Sequence, residues 1–127
     1  LSGDVHVAAV GVIESDRNDV PLNARVINQL TSSGIVHPAP PAMARYFLEQ
    51  ACKNIETIDR GITAAMYEFP ATIRRLIGAR NFLTLEPDDQ SRLWVNWWVE
   101  NERDPTTKTI HPVQSKGQQI EQSSIPK

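Results

Sequence analysis

Cysteine is almost missing from this 127-residue chain. Cys52 stands alone, which excludes an internal disulfide and any zinc cage built from several thiolates. An excess of charge is missing too: 13 Lys and Arg face 15 Asp and Glu, a formal net charge of -2. That balance offers no electrostatic case for nucleic acid or an acidic membrane surface. No apolar run approaches the length needed to span a bilayer, and there is no internal repeat. What is present is the composition of a globular domain, 40% hydrophobic and 22% charged, long enough to bury one core.

The apolar, β-rich stretch from Val5 to Glu14 predicts a largely buried strand, and the polar residues Ser15 to Pro21 a surface loop. Arg25 to Thr31 predicts a second strand, stopped by Ser32-Ser33-Gly34. Pro38, Pro40 and Pro41 keep the next stretch irregular by removing donors and fixing the backbone. A long helix is expected after Pro41, because Met43, Phe47, Ala51, Ile55, Ile58 and Ile62 recur every three to four residues. Gly61 should weaken or bend it, and Pro70 bounds its continuation through Met66 and Phe69. A helical turn is possible around Ala71 to Ile77. Asn81 to Glu86 and Arg92 to Glu100 predict a β-hairpin whose second strand is apolar on both faces. From Arg103 onward the composition predicts a loosely draped tail.

The chemistry-bearing residues begin at the amino end, in Gly3-Asp4-Val5-His6. Alternate side chains of an extended chain point the same way, so Asp4 and His6 could grip one divalent cation. The competing explanation is a turn entering a strand, with Asp4 bonded to backbone and His6 exposed. His37 follows a Ser-Ser-Gly turn and precedes Pro38, which suits either a site mouth or a surface loop. Ser32 and Ser33 could meet phosphate oxygens or merely close a turn, and no partner base suits a serine nucleophile. Arg80, followed by Asn81, could clamp a phosphate bidentately or serve as a cap or surface ion pair. Trp94, Trp97 and Trp98 read as packing residues at strand spacing, and Cys52 as a small buried apolar side chain. His111 has no organised company.

Gly3-Asp4-x-His6, then Ser32-Ser33-Gly34-x-x-His37, then Arg80-Asn81 before a hairpin resembles the carboxyl-terminal part of the alkaline phosphatase D (PhoD-like) branch of the calcineurin-like metallophosphoesterases. The resemblance covers residues 1 to about 100. It implies an α/β fold: the carboxyl-terminal part of a four-layer α/β/β/α sandwich spanning 1–102, with 103–127 a flexible tail. It implies a metal-dependent phosphoester hydrolase in which a water activated between two metal ions attacks phosphorus. Asp4 and His6 would be metal ligands, His6 and His37 catalytic, and His37 and Arg80 substrate-binding. A carboxylate in place of an imidazole favours calcium, manganese or iron over zinc. The superfamily's other metal motifs are not in these 127 residues. The expected partners are therefore a phosphate ester and the remainder of the catalytic domain, and the isolated chain is expected to be an inactive fragment or scaffold. The resemblance also favours an exported parent.

Overall fold

The computed structural model describes residues 1–4 and 6–113, so the expectations for Val5 and for the tail beyond residue 113 fall outside the described residues. Two antiparallel-rich sheets and one helix make a mixed α/β architecture in which strands predominate. The elements run β1 (Ser2–Gly3), β2 (Ala8–Ser15), a 3-10 turn (Leu22–Ala24), β3 (Val26–Ser32), α1 (Ala42–Ala51), β4 (Glu56–Asp59), β5 (Ile62–Tyr67), β6 (Leu76–Ile77), β7 (Asn81–Pro87), β8 (Leu93–Val99) and β9 (Thr106–Ile110).

In the first sheet the order is β1-β3-β2-β5-β4, and β6 also pairs with β2. β2 is the central strand: β3 lines one edge, while β5 and β6 share the other. Its residues Ala8 to Val12 are buried, as their apolar run predicts. The second sheet is the meander β7-β8-β9. Along β8, Val95, Trp97 and Val99 face the core, whereas Trp94 and Trp98 are solvent-exposed on the opposite face. The expectation that both faces of this strand are covered is thereby corrected. The outer indoles find polar partners instead: Trp94 donates to Asp88 at 2.9 Å and Trp98 to Thr84 at 3.2 Å.

The core lies between the sheets, with Ala8, Val10 and Leu30 from one side and Val95, Trp97 and Val99 from the other. Phe69 completes it, meeting Trp97 edge to face with ring centroids 5.0 Å apart. Trp97 also donates its Nε1–H to the Thr31 carbonyl of β3 at 3.0 Å. A second tie lies between buried Ser33 and buried Asn81. The Ser33 amide donates to Asn81 Oδ1 at 3.1 Å, and Asn81 donates its own amide and Nδ2 to Ser33 Oγ at 3.1 and 2.9 Å.

Three expectations are corrected. The helix ends at Ala51, and the apolar residues beyond it belong to the hairpin β4–β5, with Asp59 opposite Ile62. Ile55, Ile58 and Ile62 matched a helical period by coincidence. Gly61 is the turn, at a φ of +73° that side chains rarely adopt, packed so closely on Asp16 that a Cβ would collide. The expected helical turn at 71–77 is instead an irregular stretch ending in β6. The expected loose tail contains β9, whose residues 106–110 pair with β8.

The helix itself docks by an unexpected face. Arg45, Glu49 and Cys52 are partly covered, while Met43 and Phe47 of the expected core stripe are 68% and 63% exposed. Arg45 lies over Gly78, and Glu49 accepts the Arg75 amide at 2.6 Å.

Ser33→Ala strands two buried Asn81 donors, so it is expected to destabilise the fold by about 1–3 kcal/mol in urea unfolding. A loss below about 0.5 kcal/mol would show that the network is not a structural tie.

Candidate functional site

Asp4 and His6 sit in the short connection between β1 and β2, where the chain leaves one strand and reverses into the next. The backbone of Asp4 is fixed first. β1 pairs in parallel with the end of β3, Ser2 opposite Thr31 and Gly3 opposite Ser32. The ladder extends by one bond, from the Asp4 amide to the Ser32 carbonyl at 2.9 Å. Ser2 and Thr31 also join through their hydroxyls at 2.6 Å.

The Asp4 side chain then turns back on its own chain. Its Oδ1 accepts the amides of His6 at 2.8 Å and Val7 at 3.0 Å, closing an Asx turn. Those two amides hold the carboxyl below the ordinary aspartate value of 3.8, with a smaller contribution from the nearby His6 ring. The turn-forming explanation weighed from the sequence thus accounts for one oxygen of Asp4. The other oxygen is the one a ligand would meet.

The His6 ring reaches across to the proline-rich loop. Its Nδ1 stands 3.3 Å from the Pro38 carbonyl, and its ring meets that of His37 at 6.0 Å between centroids and 77° between planes. A carbonyl oxygen only accepts, so in the neutral imidazole Nδ1 holds the proton and Nε2 presents its lone pair. The structure therefore brings His6 and His37 together although 31 positions separate them in the numbering. Pro38 is the neighbour of His6 that sequence reasoning missed. It was legible only as a loop breaker, because the orienting group is a backbone carbonyl and not its side chain.

Arg80 is placed differently. Its guanidinium forks onto the Glu100 carboxylate through Nε and Nη2, the latter at 2.6 Å, and the pair is largely exposed. This pair raises the Arg80 pKa and lowers that of Glu100. Among the described residues its side-chain hydrogen bonds run to Glu100, the ion-pair alternative, and none reaches either histidine. Asn81, beside it, is committed to Ser33 and to the Ala79 carbonyl at 2.8 Å. Ser33 is likewise structural, and its hydroxyl is no candidate for phosphate.

Among the described residues no group of three or more His, Cys, Asp and Glu side chains is placed to hold a metal ion. Asp4, His6 and His37, three residues of those types, do not form such a group. No family model, curated protein or solved structure matches this chain. No helix among the described residues is long and apolar enough to cross a membrane.

The depressed Asp4 pKa means that its turn contributes stability above the unfolded value of 3.8, lost as pH falls through the lower native value. In an NMR titration the His6 and Val7 amide resonances are expected to move together with a midpoint below 3.8. A midpoint at or above that value would remove the Asx turn from the solution structure.

Proposed function

We propose that this chain is the carboxyl-terminal, metal-binding portion of a PhoD-like phosphoesterase, a metal-dependent hydrolase of phosphomonoesters or phosphodiesters. The observation that supports it most is His6 Nδ1 against the Pro38 carbonyl. A backbone acceptor on one ring nitrogen is the usual way in which a histidine ligand is oriented and its tautomer selected. The resemblance chose Asp4 and His6 without reference to that contact.

In this reading His6 Nε2 and the second oxygen of Asp4 would hold a metal ion, with calcium, manganese or iron preferred over zinc for the oxygen donor. A bound metal pair would supply an acidified water and neutralise phosphate charge. The chain's own residues do the remaining work. The Asx turn and the β1–β3 ladder hold the Asp4 carboxylate at one place and keep it ionised. His37, edge-on to His6, is positioned to contact a phosphate oxygen or to handle the leaving group's proton. Arg80 would reach a phosphate only by exchanging Glu100 for it, so we assign it a secondary role in substrate binding.

The other ligands would come from the rest of the catalytic domain. Met43, Tyr46 and Phe47 are exposed along α1, and that apolar face is the surface we assign to it. The two sheets would then be the inner layers of an α/β/β/α sandwich, with α1 in an outer layer. A second reading, a non-catalytic fragment or scaffold, is favoured for the isolated chain by the absence of a three-ligand cluster among the described residues.

Two measurements test this. With manganese or calcium, Asp4→Ala and His6→Ala in the intact protein should each lower hydrolysis of bis-p-nitrophenyl phosphate on the order of a hundredfold or more. Unchanged turnover refutes the ligand assignment. Calorimetric titration of manganese into the 127-residue chain alone should show binding weaker than about micromolar, because two ligands hold a metal poorly. Tighter binding would mean that this chain carries a complete centre.

A further inference from the structure

Away from Asp4 and His6, α1 and the segment between β5 and β7 enclose a cavity of about 710 Å³. Phe69, Leu76, Ile77 and Val99 give it an apolar floor, and Arg45 and Arg74 are the basic residues of its lining. The same two arginines line an adjoining pocket of about 300 Å³ beneath α1. Neither space is lined by Asp4, His6, His37 or Arg80.

Among the described residues neither arginine is in an ion pair. Each of the four ion pairs among the described residues uses another arginine: Arg17, Arg75, Arg80 or Arg92. The nearest acids are otherwise placed. Glu49 is held by the Arg75 amide, and Glu102 lines the larger cavity without pairing with either arginine. Arg45 Nε is buried and, alone among buried side-chain polar atoms of the described residues, has no hydrogen-bond partner. A buried donor atom left without an acceptor is costly, so this one calls for a partner, and a bound anion is one that a cationic side chain can take. The position is also built for this side chain. Gly78 lets the Arg45 stem lie directly on the backbone, and any Cβ there would collide with it.

We propose that this cavity is a binding site for a small organic oxyanion, a carboxylate or phosphoryl group on an apolar body, with Arg45 and Arg74 as its ligands. Two arginines can fork onto two or three anionic oxygens, while Phe69, Leu76 and Val99 accept the apolar part. The site is independent of the proposed metal centre and needs no metal.

Calorimetry of the intact protein in chelator, with phenylphosphonate, benzoate and benzyl alcohol, tests it. At least one anion should bind about tenfold or more tightly than the neutral alcohol, and the preferred anion tells phosphoryl from carboxylate recognition. Arg45→Gln and Arg74→Gln should each weaken that binding by about tenfold or more, and Arg45→Lys, which keeps charge but loses the fork, by less. Gly78→Ala should also weaken it, by displacing the Arg45 stem. Absence of anion binding, equal binding of benzyl alcohol, or binding indifferent to Arg45→Gln and Arg74→Gln would overturn the assignment. Because the readout is made without metal and without hydrolysis, its failure leaves the phosphoesterase proposal standing, and the reverse.

Discussion

The last residues of β3 hold the molecule together. Thr31 accepts the Trp97 indole on its carbonyl and shares a hydroxyl–hydroxyl hydrogen bond with Ser2, while the Ser32 carbonyl accepts the Asp4 amide. One residue further on, Ser33 locks to Asn81 at the start of β7. Within three positions the same strand end therefore joins β1, the second sheet and the connection that bears Asp4. The Ser33–Asn81 bonds are buried, where an unpaired partner would keep its full desolvation cost. Sheet packing by Phe69 and Trp97 excludes water from the tie, and the tie fixes how the sheets meet.

The candidate site inherits its order from that strand end. Asp4 is exposed, and an exposed carboxylate on a free loop would sample many directions. Here the backbone is laddered to Ser32, and one oxygen is committed to two amides, so the remaining oxygen is presented from a nearly fixed position. His6 is held from the other side, by the loop that carries His37 and Pro38. Because the prolines stiffen that loop, the carbonyl that orients His6 is itself constrained. Two segments distant in sequence thus meet through a side-chain-to-backbone contact and an edge-on pair of rings.

This division explains what could be read in the sequence. β2, β3 and the β7–β8 hairpin were legible because their apolar residues follow a strand period and turn residues bound them. The Asp4–His6 pair was legible as a residue pattern, together with its turn-forming alternative. The β4–β5 hairpin was not, because Ile55, Ile58 and Ile62 fall at helical spacing by chance and continue a real helix. Thr57 and Thr63, and Gly61 at the turn, were the local signals against it. β9 was hidden by composition: Thr106-Thr107-Lys108-Thr109-Ile110 has one large apolar residue, and its pairing is directed by β8, where Asn96 accepts the Thr107 hydroxyl. Ser33 and Asn81 gave no long-range signal, since a polar pair buried across 48 positions looks like two turn residues.

The orientation of α1 follows from the same physics. A hydrophobic stripe decides which face of a helix is buried only when an apolar surface is there to receive it. Where α1 docks, its covered edge meets the Gly78 backbone and the Arg75 amide. Glu49 accepts the Arg75 amide and the Arg45 stem lies on Gly78, so the helix docks by this edge and its Met43–Phe47 stripe points outward. Exposing such a stripe is unfavourable by roughly 25 cal/mol for each Å² of apolar surface left in water. Under the proposed function the rest of the catalytic domain covers it. The arrangement then has a physical logic: the polar edge sets the position of the helix, and the apolar stripe supplies the adhesive surface for the missing layer.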